Sequence, residues 1–273
     1  MSSSYTPIEQ QAIANLKSQL DDIVKSAKED PELGASIKDS LWGISLSSTS
    51  EDTRLPVLLI KFIRARRQAR AMLLNTLKWR ASFKADTILT EEFPPEVFNG
   101  VGYIQGEDKE GRPVCYNMYG GLDPETVFGD LNRFLRWRVQ LMEKGIQLLD
   151  FDKKTDMVQV HDYKGVSFFS SNSTTKNASS ATIKIMQDNY PEFLATKFFI
   201  NIPTWGAFLF KVFRPILSEA TRKKFVVCSE GSVTQMMTER IDPSQLPDRY
   251  GGKVVSIVSS NSEIEAKTAD SLD

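Results

Sequence analysis

Apolar positions follow a helical rhythm in the first third of the chain and a mixed helix-and-strand rhythm after it. Residues 7–30 carry a weak helical pattern, and 31–53 read as a loop rich in Ser, Gly and Asp around the apolar patch Leu41, Trp42, Gly43 and Ile44. From Leu55 the signal sharpens. Leu55, Leu58, Leu59, Phe62 and Ile63 recur at helical spacing, and Ala69, Met72, Leu73 and Leu77 repeat it up to Trp79. Phe93, Pro94 and Pro95 close this region.

The stretch VGYIQGEDKEGRPVCYNMYG then predicts two strands around a Gly-Glu-Asp-Lys-Glu-Gly turn. A helix follows over 124–151, with Phe128, Leu131, Leu135, Val139, Met142, Ile146 and Leu149 as its apolar positions, and a strand over 157–163. Beyond a Ser/Thr/Asn segment at 167–180, a helix ends near Tyr190 and strands are predicted at 198–202 and 224–228, with a last helix before Leu246 and Pro247. Strands alternating with helices argue for an α/β layer behind a separate N-terminal helical region. The implied divisions are 1–95 and 96–255, with a disordered tail at 256–273.

One run departs from the rest. Residues 198–217 read FFINIPTWGAFLFKVFRPIL, dense in aromatics, with Lys211 and Arg214 the charges in it. A membrane span needs about 20 apolar residues in one helix, and Pro203, Gly206 and Pro215 interrupt this one. Read alone, the run is a buried strand followed by a core helix; a mobile or lipid-facing helix over 205–217 is the competing reading.

The remaining composition narrows the function classes. The chain has 273 residues, 41% of them hydrophobic, and a net charge of -1, so an anionic partner would have to be met by a local patch, and nucleic acid is not a predicted partner. The polar start MSSSYTPIEQ lacks the apolar core of a signal peptide, and neither end carries a lipidation motif, which points to the cytoplasm. Cys115 and Cys228 lack metal-ligand spacing and read as reduced core residues. His161 is the single histidine, which excludes multi-histidine metal sites.

An ordered set of short motifs carries a family resemblance. These are residues 59–66 (LIKFIRAR), Lys78-Trp79-Arg80, residues 162–167 (DYKGVS), Tyr190-Pro191-Glu192, Ile202-Pro203 with its following apolar helix, and Leu246-Pro247 with Tyr250-Gly251-Gly252. Together they make residues 50–255 resemble the CRAL-TRIO lipid-binding proteins. The resemblance implies an N-terminal helical bundle packed on an α/β domain, whose mostly parallel sheet floors an apolar pocket gated by a mobile helix. It assigns the 205–217 run to that gate, with Phe208, Phe210 and Phe213 lining the shut pocket and touching a membrane surface when open. Pro203 and Gly206 are plausible hinges, one fixing φ and the other freeing it.

The basic residues Arg54, Lys61, Arg64, Arg66, Arg67, Arg70, Lys78 and Arg80 fall in a stretch without acidic residues. They read either as a solvated helical face or as a phosphate-binding patch. By resemblance to the phosphatidylinositol-binding members, the headgroup residues here are Arg66, Glu192, Thr221 and Lys224. Their chemistry suits the task, since cations neutralise phosphate, a hydroxyl donates to it and a carboxylate accepts from inositol hydroxyls.

On a strand at 157–163, Gln159, His161 and Tyr163 share one face and Val158 and Val160 the other. The family pattern is apolar at both ring positions. Two polar rings on a lipid-pocket floor require partners or a ligand, because an unpaired buried polar group costs about 1–3 kcal/mol. One answer is a satisfied His/Tyr hydrogen-bond network with Asp162. The other is haem b, since tyrosinate is an axial ligand of ferric haem. The chain is similar throughout to a fungal haem-binding branch of the family. That likeness implies Tyr163 as iron ligand, His161 beside it, and Tyr116, Arg136 and Lys197 as further contacts. A helical wheel places Arg138 nearer the apolar face than Arg136, so which arginine meets a propionate stays open at this level.

These readings converge on a carrier rather than an enzyme: haem and phosphatidylinositol as ligands, transient contact with a membrane surface, and cytoplasmic placement with peripheral association to endoplasmic reticulum or other intracellular membranes. The oligomeric state is not legible. The alternatives are a haem-dependent peroxidase or catalase-like enzyme, which would lack a second imidazole for acid/base work, and a phospholipid carrier without haem.

Overall fold

Thr6 opens the first helix, α1 (Pro7–Ser18), through a capping box in which its hydroxyl accepts from Glu9 N–H and the Glu9 carboxylate reaches back to Thr6. The computed structural model describes residues 5–166, 173–202 and 223–257. α2 (Leu20–Lys28) buries Leu20, Ile23, Val24 and Ala27, one stripe of its surface. The 31–53 region is more ordered than its composition predicts: Leu41 and Ile44 are buried in a two-strand hairpin, β1 (Ser40–Leu41) and β2 (Ile44–Ser45). Its two central residues, Trp42 and Gly43, are both left-handed at φ 50° and 74°, the backbone of a tight mirror-image turn. α3 (Leu55–Ala65) and α4 (Ala69–Phe83) follow the sharp apolar periodicity, and α4 ends at a left-handed Lys84.

The chain forms two compact units that do not follow chain order. The first comprises Met1–Glu91, Arg138–Thr155 and Ser180–Phe193, and the second comprises Glu92–Trp137, Asp156–Ser179 and Leu194–Asp273. One buried polar network explains why the first gathers distant segments. Glu143 Oε1 accepts from Arg80 Nη1 at 2.6 Å, from the Tyr190 hydroxyl at 2.6 Å and from Trp42 Nε1 at 3.3 Å. Arg80 also donates to Asp86, through Nε at 2.9 Å and Nη2 at 2.5 Å. Lys61 is buried as well, its Nζ donating to the Thr155 carbonyl at 2.5 Å and the Glu192 carbonyl at 2.8 Å. Much of the basic stretch is thus architectural; its exposed members are Arg64, which pairs with Glu9, and Arg66, Arg67 and Arg70 around the α3–α4 junction.

The second unit holds the sheet. β3 (Gly102–Glu107) pairs antiparallel with β4 (Pro113–Met118), and β4, β5 (Met157–Asp162), β6 (Leu194–Ile200) and β7 (Phe225–Val227) run parallel in sequence order. The helix predicted over 124–151 is two. α5 (Pro95–Phe98) precedes the sheet; α6 (Pro124–Phe128) and α7 (Leu131–Ile146) are separated at Gly129 and Asp130, where the Asp130 carboxylate caps α7 by accepting from Arg133 N–H at 2.9 Å. α8 (Ser173–Asn189) leads back to β6, and α9 (Val233–Thr238) follows β7. The predicted 205–217 helix, the Thr221 position and nearly all of the 256–273 tail lie outside the described residues. Among the described residues no helix is long and apolar enough to cross a membrane.

Replacing Glu143 by Leu leaves Arg80 buried against Asp86 alone and orphans two further donors. Equilibrium unfolding in urea should show a loss of about 3 kcal/mol, the low end for breaking a buried pair because Asp86 remains. A loss below about 1 kcal/mol would show that the network does not hold the unit together.

Candidate functional site

Strand register decides which side chains of the sheet can act together. Tyr116 pairs with Val160, Val160 with Phe198, and Phe198 with Val226, so these share one face. That face is sealed: Tyr103, Val114, Tyr116, Val158, Val160, Phe198 and Ile200 pack with Cys228, Val233, Met237, Ile241, Leu246 and Tyr250 in one core cluster. Asp162 closes its end, accepting from the Tyr250 hydroxyl at 3.0 Å and from Asn201 Nδ2 at 2.8 Å.

The opposite face carries different chemistry. Asn117 pairs with His161 and His161 with Phe199, while Cys115 pairs with Gln159, Gln159 with Lys197 and Lys197 with Phe225. Gln159, Lys197 and Phe199 are only half-buried, in contrast to the buried Val158, Val160, Phe198 and Ile200 alternating with them, and Phe225 is half-buried on the short edge strand β7. His161 is buried, and its Nδ1 lies 2.8 Å from the Tyr119 hydroxyl. Its Nε2 lies 3.3 Å from Gln159 Oε1, an acceptor, so in the neutral ring Nε2 carries the proton and Nδ1 accepts from Tyr119.

Tyr163 follows the end of β5, its N–H donating to the Ile200 carbonyl at 3.0 Å. Its ring lies 5.1 Å from that of Tyr119 and 6.4 Å from that of Phe199, on the His161 side. Gly120 permits this arrangement: a Cβ there would stand 1.5 Å from the Lys164 carbonyl oxygen, so only glycine lets the chain after Tyr119 approach the turn after Tyr163 so closely. Burial pushes the Tyr163 phenol up to about 12, and its hydroxyl has no hydrogen-bond partner among the described residues.

The structure thus brings His161, Tyr163 and Lys197 to one face, with the Lys197 ammonium 5.2 Å from the Phe199 ring centre. It sets Tyr116 on the other. Tyr116 is fully buried between the rings of Tyr103 and Tyr250, at 4.9 Å and 5.5 Å, and its register with Val160 puts it on the face opposite His161, although the resemblance implies it as a haem contact. Tyr119 stands on the His161 side instead, and strand alternation from Cys115 through Asn117 points to it. Tyr119, and not Tyr163, is the tyrosine whose hydroxyl meets the His161 ring. Arg136 is half-buried on α7. Of the headgroup candidates, Arg66 and Glu192 are exposed residues of the first unit and Lys224 is a half-buried residue of the second. Glu192 has left-handed backbone at φ 53°. Phe208, Phe210, Phe213 and Thr221 lie outside the described residues.

The result is an α/β fold whose mostly parallel sheet has one face sealed by its own C-terminal segment and the other bearing half-buried polar and aromatic side chains. The chain belongs to the CRAL/TRIO domain family, whose model matches residues 98–252. It is 37% identical over 264 residues to Patellin-6 of Arabidopsis thaliana, covering 92% of this chain but 60% of the relative. The phosphatidylinositol transfer protein SFH5 of Cryptococcus neoformans var. neoformans serotype D is 36% identical over 255 residues, covering 84% of this chain and 85% of the relative. A crystal structure of Sfh5 superposes with a TM-score of 0.71 at 28% identity, covering 100% of this chain and 99% of that one. The patellins are longer proteins: the chain spans 60% of Patellin-6 and 43% of Patellin-4.

The Tyr116 hydroxyl is buried without a partner among the described residues, and burial raises its pKa. Tyr116→Phe should therefore leave the unfolding free energy unchanged or raise it by about 1 kcal/mol, and should leave ligand binding intact. A binding loss in calorimetry with the purified variant would return Tyr116 to the ligand site.

Proposed function

We propose that this protein is a carrier that holds an apolar ligand against the sheet face bearing His161 and Tyr163, that haem b is one such ligand, and that phosphatidylinositol is exchanged at membrane surfaces. The observation that carries the haem reading is the Tyr163 phenol, a half-buried oxygen donor in aromatic surroundings with no hydrogen-bond partner among the described residues. The donor set fits this group. A porphyrin fills four positions around its iron, so one protein oxygen suffices, and the described residues contain no cluster of three or more His, Cys, Asp or Glu side chains suited to a bare ion. Bound haem supplies a ferric Lewis acid, which stabilises the phenolate that burial alone disfavours. The residues assigned to it are Tyr163 as ligand, His161 held in place by Tyr119, and Lys197, Arg136 or Arg138 as cations for an acid group. His161, committed to Tyr119 and Gln159, fixes the shape of the site, which favours binding over turnover.

Support for phosphatidylinositol comes from family membership and from the SFH5 relatives, which are phosphatidylinositol transfer proteins by name. Arg66, Glu192, Thr221 and Lys224 supply headgroup chemistry in this reading. Cytoplasmic placement with peripheral contact to endoplasmic reticulum or other membranes belongs to the same proposal.

Two variants separate the ligands. Tyr163→Phe should abolish the phenolate-to-iron charge-transfer band and lower haem occupancy in protein from iron-supplied cells, while transfer of phosphatidylinositol between vesicles continues. Glu192→Gln, which keeps the left-handed backbone residue polar and unbranched, should slow phosphatidylinositol transfer about tenfold or more and leave the haem spectrum unchanged. A wild-type spectrum in Tyr163→Phe removes the tyrosine as ligand, and undiminished transfer in Glu192→Gln removes the headgroup assignment.

A further inference from the structure

Buried charges in this protein are matched, with one exception among the described residues. Arg80 meets Glu143 and Asp86, Lys61 meets two carbonyls, Asp108 meets Arg112, and Asp162 accepts from Tyr250, Asn201 and the Lys164 backbone. On α7 itself, buried Glu143 is fully engaged and buried Gln140 donates to the Ile88 and Glu91 carbonyls at 2.8 Å and 2.7 Å. Arg138, two residues before Gln140 on the same helix, is 6% exposed. Its Nη1 is buried with no hydrogen-bond partner, and no carboxylate of the described residues pairs with it.

A buried guanidinium cannot escape its charge by losing a proton, so it needs an anion or costs stability. Leu141 and Met142, three and four residues on and therefore on the same helical stripe, are buried and apolar, and offer it no counter-charge. The anion must come from outside the described chain. Nothing on this stripe would solvate a small inorganic ion, whereas an acid group carried on an apolar body satisfies both the charge and the surroundings.

We propose that Arg138 is a buried anion receptor, binding the carboxylate or phosphate of a ligand whose body is apolar. The inference rests on burial and pairing and not on tyrosine-ligated haem, because a fatty acid, an acidic phospholipid or a porphyrin propionate meets the same requirement. It also separates Arg138 from its half-buried neighbour Arg136.

The test compares acid and neutral probes on the full chain freed of ligand: oleate with oleyl alcohol, phosphatidate with diacylglycerol, and haem with its dimethyl ester. The unmodified protein should prefer the acid in at least one pair by about tenfold or more, and the pair identifies the source of the anion. Arg138→Met should bring that ratio close to one and raise the urea midpoint of the empty protein, because the uncompensated charge is gone. Arg138→Lys should keep the preference. No preference for acid in any pair, a preference retained in Arg138→Met, or an empty Arg138→Met protein less stable than the original would each overturn the proposal.

Discussion

Strand parity in the parallel sheet is the constraint on which the site depends. β5 sends Val158 and Val160 to one face and Gln159 and His161 to the other, and the parallel register with β4 and β6 carries this division across the sheet. Once the Val160 face is closed by Val233, Met237, Ile241, Leu246 and Tyr250, it is core and nothing else. The proposed ligand face is the other one, where Lys197, Phe199 and Phe225 remain half-buried. A slip of one residue in β5 would bury His161 in the sealed core and expose its valines, so the apolar cluster fixes the register that orients the polar rings.

Those rings are organised from beyond the strands. Tyr119 lies one residue after β4 and Tyr163 one residue after β5, and both are positioned by backbone pairing past the strand ends: Tyr119 N–H to the Asp162 carbonyl at 2.9 Å, and Tyr163 N–H to the Ile200 carbonyl at 3.0 Å. Asp162 contributes twice, its carbonyl to Tyr119 and its carboxylate to Tyr250 on the sealed face. The same residue thus links the core side to the site side. Such a link costs little when the buried carboxylate is well partnered, and Asp162 accepts from Lys164 N–H and Asn201 as well.

Local periodicity made the elements legible in the sequence. Helical spacing marks α3 and α4, and alternation marks β4 and β5, including the shared face of Gln159, His161 and Tyr163. What periodicity lacks is the parity of one strand relative to another. The likeness therefore grouped Tyr116 with the haem contacts, although its register partner is Val160 and not His161. Tyr119 was missed because only the pairing with β5 shows that Cys115 and Asn117, and so Tyr119 beyond them, share the His161 side of β4. The break between α6 and α7 was visible as Gly129 and Asp130, a flexible residue followed by a capping one, but the apolar repeat ran across it. The Glu143 network was invisible because its members, Trp42, Arg80, Asp86 and Tyr190, are distant in sequence and joined only by folding.

The central claim is that the His161 face receives the ligand and that Tyr163 is the residue that distinguishes it. Electron paramagnetic resonance of the ferric protein, purified from iron-supplied cells without added ligand, tests it most directly. The account predicts a high-spin ferric signal together with a phenolate charge-transfer band in the absorption spectrum of the same sample. A low-spin signal from nitrogen or sulfur ligation, or iron-free protein that takes up no haem on titration, would contradict it.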